Sequence, residues 1–337
     1  MPEEPKMLPK RIEALADAVY PSFAMLAGME LDLFTPLGNG PCSAEEIATA
    51  AGTDQAKTTE LLHALVAIGL LTHESGRFSN SPEADEFLVR GRPNYIGMRH
   101  HAYRRRWNSV LSVTETIRSG VPQRGMSYAG MPAEARDAFY RGTFTECLAA
   151  GRQLAASEDF SGCHNIIDIG GGSGGLAIAM AERWTNLSVT IADLPANEAV
   201  ARRFVAEAGF SDRVHVCPTD VVKEPLGGPY DAGIMRGLVP VLTPAQIHGV
   251  LANAHAALRP GSPLYVVGWI LDDSRASPLS YATYNLLFVN DYTNALIHTE
   301  AEHRAWLEEA DFDFVRRQRT AASYAADFIL ARKRLSN

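Results

Sequence analysis

The apolar positions of this chain change rhythm near its middle. From Arg11 to about Val89 they recur at three- and four-residue spacing, which predicts helices with short connectors. From Cys163 onward they gather into short runs separated by helix-prone stretches, which predicts strands alternating with helices.

In the first half, Ala14 to Leu26 reads as an apolar, alanine-rich helix. Glu30-Leu31-Asp32-Leu33-Phe34 continues that texture, and Gly38-Asn39-Gly40-Pro41 breaks it. Ser43-Ala44-Glu45-Glu46 has the form of a capping box, and the helix it starts ends at Ala51-Gly52. Thr58 to Leu71 predicts another helix, with Leu61, Leu62, Leu65, Ile68 and Gly69 at helical spacing. Residues 70–79 then read as a small β-hairpin. This is the outline of a winged helix. A recognition helix for the DNA major groove needs basic and amide side chains, and this one offers only Lys57 as a base. An apolar helix is better suited to burial against another chain.

Asn94 to about Leu154 predicts a long helical connector. Tyr103, Trp107, Val110, Leu111, Thr114 and Ile117 repeat at helical spacing, and Gly120-Val121-Pro122 ends the run. Arg104-Arg105-Arg106 fan around a helix and cannot form one patch, so the expectation is a solvated face.

The second half predicts strands at 166–169, 189–193, 214–216, 230–235 and 264–268, the last entered by Leu258-Arg259-Pro260-Gly261. With helices between them they make a doubly wound, mostly parallel sheet. Phe312–Val315 and Asp327–Leu330 read as two further strands joined by a short connection, so an antiparallel pair closes the sheet. The first of these strands runs Ile166-Ile167-Asp168-Ile169 into Gly170-Gly171-Gly172-Ser173-Gly174-Gly175 and then an alanine-rich helix. A buried strand, a tight glycine turn and a helix N-terminus are where such a sheet binds a nucleotide. Asp193 at the end of the next strand matches the dinucleotide fingerprint. Three features point away from a nicotinamide cofactor: Leu194-Pro195 after that acid, a second acid at Asp220, and the antiparallel finish.

Composition narrows the functions further. The chain has 337 residues, 46% of them hydrophobic, enough for one large or two ordinary domains. A net charge of −8 argues against nucleic acid as a partner. The four cysteines are scattered without a Cys-x-x-Cys pair, which predicts reduced thiols in a cytoplasmic protein and no zinc site. The start, Met-Pro-Glu-Glu-Pro-Lys, is not read as a signal peptide, no apolar run is long enough to span a membrane, and no clustered metal ligands stand out.

Asp168-Ile-Gly-Gly-Gly-Ser-Gly, Asp193-Leu-Pro, Asp220, Leu258-Arg-Pro-Gly and the helical first half together resemble the small-molecule O-methyltransferases that use S-adenosylmethionine, the caffeic acid and hydroxyindole type with its bacterial antibiotic-pathway relatives. Length, the Glu30-Leu-Asp-Leu-Phe segment and Asp272-Asp273 are also similar to the bacteriochlorophyllide C-methyltransferases. The resemblance implies a winged-helix-like dimerisation domain over 1–92, a helical connector contributing to the substrate pocket over 93–155, and a Rossmann-like cofactor domain over 156–337. It implies a homodimer formed through the first domain. It implies that Asp168 binds the cofactor and that the Gly170–Gly174 backbone, Gly172 included, approaches the methionine part of S-adenosylmethionine. Asp193, followed by Leu194, would take the ribose hydroxyls. Asp220 and Val221 would take the adenine, and Arg236 would lie near the cofactor. The cofactor reading is preferred over its alternatives, a helix cap for Asp193 and a turn carboxylate for Asp220.

One part of the family pattern is missing. Plant-type members carry a catalytic histidine after the fourth strand of the sheet. Here that stretch reads Met235-Arg236-Gly237-Leu238-Val239-Pro240-Val241-Leu242, with no histidine. Gly268 or Trp269 stands where an orienting glutamate is expected. A phenol ordinarily titrates near pH 10, so something must take or loosen its proton. The candidate replacement bases are His100 and His101, at the start of the connector helix beside Tyr103 and Trp107. The candidate acceptor pocket is Tyr281, Tyr284, Asn285 and Phe288, on one helix face, with Trp269 as another wall and Tyr103 and Trp107 from the connector. The expectation is methyl transfer to a small, aromatic secondary metabolite, to oxygen by family default and to carbon or nitrogen as options opened by the missing base. The alternative is a methyltransferase-like protein that keeps the cofactor for a non-methylating activity, such as a cyclase or hydroxylase.

Overall fold

The structure, a computed structural model, describes residues 8–293, 295–320 and 327–335. They form two compact units, residues 1–104 and 105–337.

The first unit is helical with a hairpin. Helices Lys10–Asp17 and Val19–Glu30 replace the one helix expected from Ala14. The first of them buries no residue. Ile12, Leu15, Tyr20 and Phe23 stand exposed along the pair. Ser43 caps the helix Ala44–Ala51: its hydroxyl accepts from Glu46 N at 3.2 Å, and the Glu46 carboxylate accepts from Ser43 N at 2.6 Å. Asp54 caps the next helix, Gln55–Ala67. Strands β1 (Leu71–Glu74) and β2 (Arg77–Asn80) make the hairpin. Leu33, Phe34, Ile47, Leu62, Leu65 and Phe78 form the unit's core, and Tyr103 packs against it.

The second unit holds a seven-stranded sheet: β3 (Asn165–Ile169), β4 (Ser188–Asp193), β5 (Val214–Pro218), β6 (Ala232–Arg236), β7 (Pro263–Gly268), β8 (Phe312–Gln318) and β9 (Asp327–Lys333). Its order is β5-β4-β3-β6-β7-β9-β8. The first five strands are parallel, and β9 runs antiparallel between β7 and β8. This bears out the doubly wound sheet with an antiparallel finish, and adds that the later strand is the inner one.

Both faces of the sheet are covered, so its central strands are mostly apolar. Ile166 and Ile167 show the two-residue alternation: Ile166 joins the core with Val189 and Tyr265, and Ile167 the opposite core with Met235 and Val266. The long helix Ala133–Ser157 lies on the helix Gly175–Arg183. A methyl group on Gly151 would come within 2.7 Å of Ala179 Cβ, so only glycine allows this approach. The strand order reverses between β3 and β6, which run parallel, and the carboxyl ends there open a crevice.

Candidate functional site

The glycine turn after β3 is where backbone geometry and site coincide. Gly172 has φ +57°, and a Cβ there would lie 2.8 Å from the Tyr140 ring. A Cβ on Gly171 would lie 2.7 Å from the Asp168 carboxylate. The turn is pinned to the next strand by Gly170 N–H donating to the Ala192 carbonyl at 2.7 Å.

Above this turn lies a cavity of about 440 Å³ lined from the second unit. Its polar end carries Asp168, Gly170, Gly172, Asp193, Leu194, Asp220, Val221 and Arg236, all eight of the residues expected there from the sequence. The Asp193 carboxylate accepts from Gly172 N at 2.6 Å, Leu194 N at 2.7 Å and the Asn197 amide at 2.7 Å. Burial pushes its pKa up, and these donors pull the other way. Asp220 accepts from Val222 N at 3.2 Å and Lys223 Nζ at 2.8 Å; the lysine holds its carboxyl below the usual range. The carboxylate therefore shapes a turn while also reaching the cavity. Arg236 donates to Cys147 Sγ at 3.1 Å.

Several buried polar atoms here have no hydrogen-bond partner in the protein: both Asp168 oxygens, Ser173 Oγ, Asn197 Oδ1 and Arg236 Nε. Burial, reinforced by the Asp193 charge, raises Asp168 to about 7. Orphaned donors and acceptors around a glycine turn fit a polar ligand carrying its own charges. The donor set suits S-adenosylmethionine, with carboxylates for its ammonium and hydroxyls and an arginine for its carboxylate. Among the described residues no group of three or more His, Cys, Asp or Glu is arranged to hold a metal ion.

The other end of the cavity is aromatic. Trp269 and Tyr284 stack with ring centroids 5.2 Å apart, and Phe288 meets Trp269 edge-on at 5.5 Å. Tyr281 and Asn285 share the helix Leu279–Asp291 with these rings but lie outside the lining. Tyr281 sits beside the Asp327 carboxylate, and the Asn285 amide oxygen accepts from Ile297 N at 2.8 Å, pinning a loop. Trp107 is half-buried and also outside the lining. His100, His101 and Tyr103 belong to the first unit. The two imidazoles are in ring contact at 3.9 Å, and burial lowers His100. Among the described residues lining the cavity there is no histidine.

The structure overturns one expectation outright. Arg105 and Arg106 are not a solvated face; both line the cavity. Arg106 makes a two-pronged pair with Glu146 at 2.8 and 2.7 Å, and lies over the Tyr284 ring. Arg105 pairs with Asp291 at 3.1 Å, where Ser109 also donates. Arg104 pairs with Glu30 in the first unit. The three side chains do fan apart, and two of the directions meet buried acids. Met126, Tyr128, Tyr140 and Tyr292 are further lining residues that periodicity did not single out. The one available signal was three charges in a row on an otherwise apolar helical stretch.

A nucleotide-type crevice at the carboxyl ends of a doubly wound sheet, with an aromatic chamber beside it, defines the class of cofactor-binding α/β enzymes. Residues 115–313 match the O-methyltransferase domain family, and residues 13–90 match the O-methyltransferase dimerisation domain. The chain belongs to this family, and it is an S-adenosylmethionine-dependent methyltransferase. It is 30% identical to the 3-hydroxy-5-methyl-1-naphthoate 3-O-methyltransferase of Streptomyces sahachiroi, over 93% of this chain and 92% of that enzyme. It is also 30% identical to the N,N-dimethyltransferase OxyT of Streptomyces rimosus, over 88% and 89% of the two chains. The crystal structure of human N-acetylserotonin methyltransferase with S-adenosylmethionine superposes with a TM-score of 0.85 at 22% identity, covering 99% of this chain and all of that one. No helix among the described residues is long and apolar enough to cross a membrane.

Proposed function

We propose that the protein methylates a small aromatic secondary metabolite, with oxygen as the default acceptor atom. One observation carries the reading: the polar cradle of Asp168, Asp193 and Asp220 and the aromatic wall of Trp269, Tyr284 and Phe288 line the same cavity. The bound cofactor supplies a methyl group activated on a positively charged sulfur. The chain's own residues bind and orient. The glycine turn lets the backbone approach the methionine part, and Asp168 is a partner for its ammonium. Asp193 takes the ribose hydroxyls, for which one of its oxygens retains a lone pair. Asp220 and Val221 bind the adenine; Leu194 and Arg236 complete the cradle. Trp269, Tyr284 and Phe288 hold the acceptor ring flat and exclude water, so rate comes from alignment. Tyr103, Trp107, Tyr281 and Asn285 have no direct part in this scheme, and His100 and His101 are not assigned as bases.

Residues 1–92 serve as the dimerisation part, 93–155 as the connector and 156–337 as the cofactor domain. The exposed stripe of Ile12, Leu15, Tyr20 and Phe23 supports a homodimer formed through the first part. The test is incubation with labelled S-adenosylmethionine and a panel of hydroxyarenes, aminoarenes and carbon nucleophiles, with S-adenosylhomocysteine as readout. Release of S-adenosylhomocysteine only with hydroxyarenes supports the reading. Tight cofactor binding without turnover on any class would overturn it in favour of a non-methylating activity.

A further inference from the structure

Two tyrosines line the cavity and have no place in the cofactor assignment. Tyr128 comes from the segment between helices Val113–Ser119 and Ala133–Ser157, and Tyr292 follows the helix Leu279–Asp291. Their hydroxyl oxygens are 2.8 Å apart, and their rings stack at 6.1 Å. The segment bearing Tyr128 is fastened to that helix end. Met126 N–H donates to the Asp291 carbonyl at 2.7 Å, and Arg124 N–H to the Asn290 carbonyl at 3.3 Å. The hydroxyl pair is therefore set by backbone bonds.

Two phenols carry two hydrogens, and the bond between their oxygens uses one. The other has the Met126 thioether within reach, 3.6 Å from the Tyr292 oxygen, and a thioether is a weak acceptor. A ligand oxygen is a better one. When Tyr292 donates to Tyr128, the Tyr128 hydrogen is left for the cavity. Burial pushes both phenols above their ordinary range, so both remain protonated donors at neutral pH.

Among the described residues at the aromatic end of the cavity there is no histidine to take a proton. Its carboxylates, Glu146 and Asp291, are each already engaged by an arginine, at 2.7 and 3.1 Å. The acceptor must then be acidic by itself. An aromatic hydroxyl conjugated with a carbonyl meets that need, because deprotonation spreads the charge onto the carbonyl oxygen. A donor at that oxygen bonds the anion more strongly than the neutral molecule, and so lowers the hydroxyl pKa.

We infer that the Tyr128–Tyr292 pair donates one hydrogen bond to a carbonyl of the acceptor, and that the acceptor class is a hydroxyarene with a ring-conjugated carbonyl. The inference rests on the methyl-transfer reading above. The hydroxyl releases its proton to solvent as the acceptor enters, before the rings exclude water. The phenolate oxygen then bonds to the methyl carbon as the carbon–sulfur bond breaks, and that electron pair goes to sulfur. The products are a methyl ether and a neutral thioether.

The test uses the full chain loaded with S-adenosylhomocysteine and two probes of equal size, 6-acetyl-2-naphthol and 6-ethyl-2-naphthol, by calorimetry. The wild type should bind the ketone about tenfold more tightly. Tyr128→Phe should bring the ratio to within about twofold and leave S-adenosylhomocysteine affinity unchanged. Tyr292→Phe keeps the donor but loses the group that aims it, and should fall between. Equal binding by the wild type, or a preference that survives Tyr128→Phe, overturns the inference. So does a loss of S-adenosylhomocysteine affinity in Tyr128→Phe, which would assign the pair to the cofactor. Failure of the wild type to bind S-adenosylhomocysteine at all would instead overturn the reading beneath it.

Discussion

The Gly172 amide hydrogen points into the Asp193 carboxylate, 2.6 Å from nitrogen to oxygen, and joins the turn after β3 to the end of β4. One carboxylate thus fixes the shape of the glycine turn and presents itself to the cavity. Replacing Asp193 by alanine removes three accepted hydrogen bonds and the proposed ribose contact. S-adenosylhomocysteine affinity should fall by more than about tenfold by calorimetry. An unchanged Kd would remove Asp193 from the site.

Gly172→Ala asks the same turn a steric question. The new methyl group meets the Tyr140 ring at 2.8 Å while the backbone stays at φ +57°. The cost should be about 1–3 kcal/mol in chemical unfolding, together with loss of cofactor binding. A variant that binds normally would show that the turn tolerates a side chain.

Asp168 makes stability depend on pH. Its folded pKa, about 7, lies above its ordinary 3.8, so the folded state holds a proton that the unfolded state has lost. The stabilising contribution is complete below about pH 4 and disappears as pH rises through 7. The integrated effect is on the order of 4 kcal/mol. Asp168→Asn should flatten the decline between about pH 4 and 7 in cofactor-free denaturation curves. Parallel curves for the two proteins would contradict this.

The pair of Arg106 and Glu146 is nearly dry, with side-chain exposures of 13% and 11%. Glu146→Ala leaves the guanidinium without its two-pronged partner and should destabilise the protein by about 3–5 kcal/mol. Arg106→Met combined with Glu146→Leu should cost clearly less, because no charge is stranded. Thermal melting of the single and double variants gives the comparison.

Leu15 and Phe23 lie on the exposed stripe of the first unit. Leu15→Glu with Phe23→Glu should convert a dimer into monomers by light scattering. A wild type that is already monomeric at micromolar concentration would sink the proposed dimer.

The sheet and its ligand edge were legible because they rest on local rules. A buried parallel strand must be apolar, and a glycine turn with φ above zero announces itself in Gly170-Gly171-Gly172. The aromatic chamber was legible only in part. Tyr281, Tyr284, Asn285 and Phe288 share a helix face by spacing, yet that face is wide enough to divide between the cavity, the backbone at Ile297 and the Asp327 side chain of β9. Spacing alone does not say where the division falls. Arg105 and Arg106 were misread because their partners, Asp291 and Glu146, are 186 and 40 residues away. A charge run looks solvated until the acid that buries it is known.

The placement of β9 between β7 and β8 sets the order of events during synthesis. Translation delivers β8 before the strand it pairs with, so β8 leaves the ribosome with no neighbour in the sheet. Its place in the sheet exists only once residues 327–333 have paired with β7. Until then two strand edges are unguarded, and chaperone demand should be greatest there.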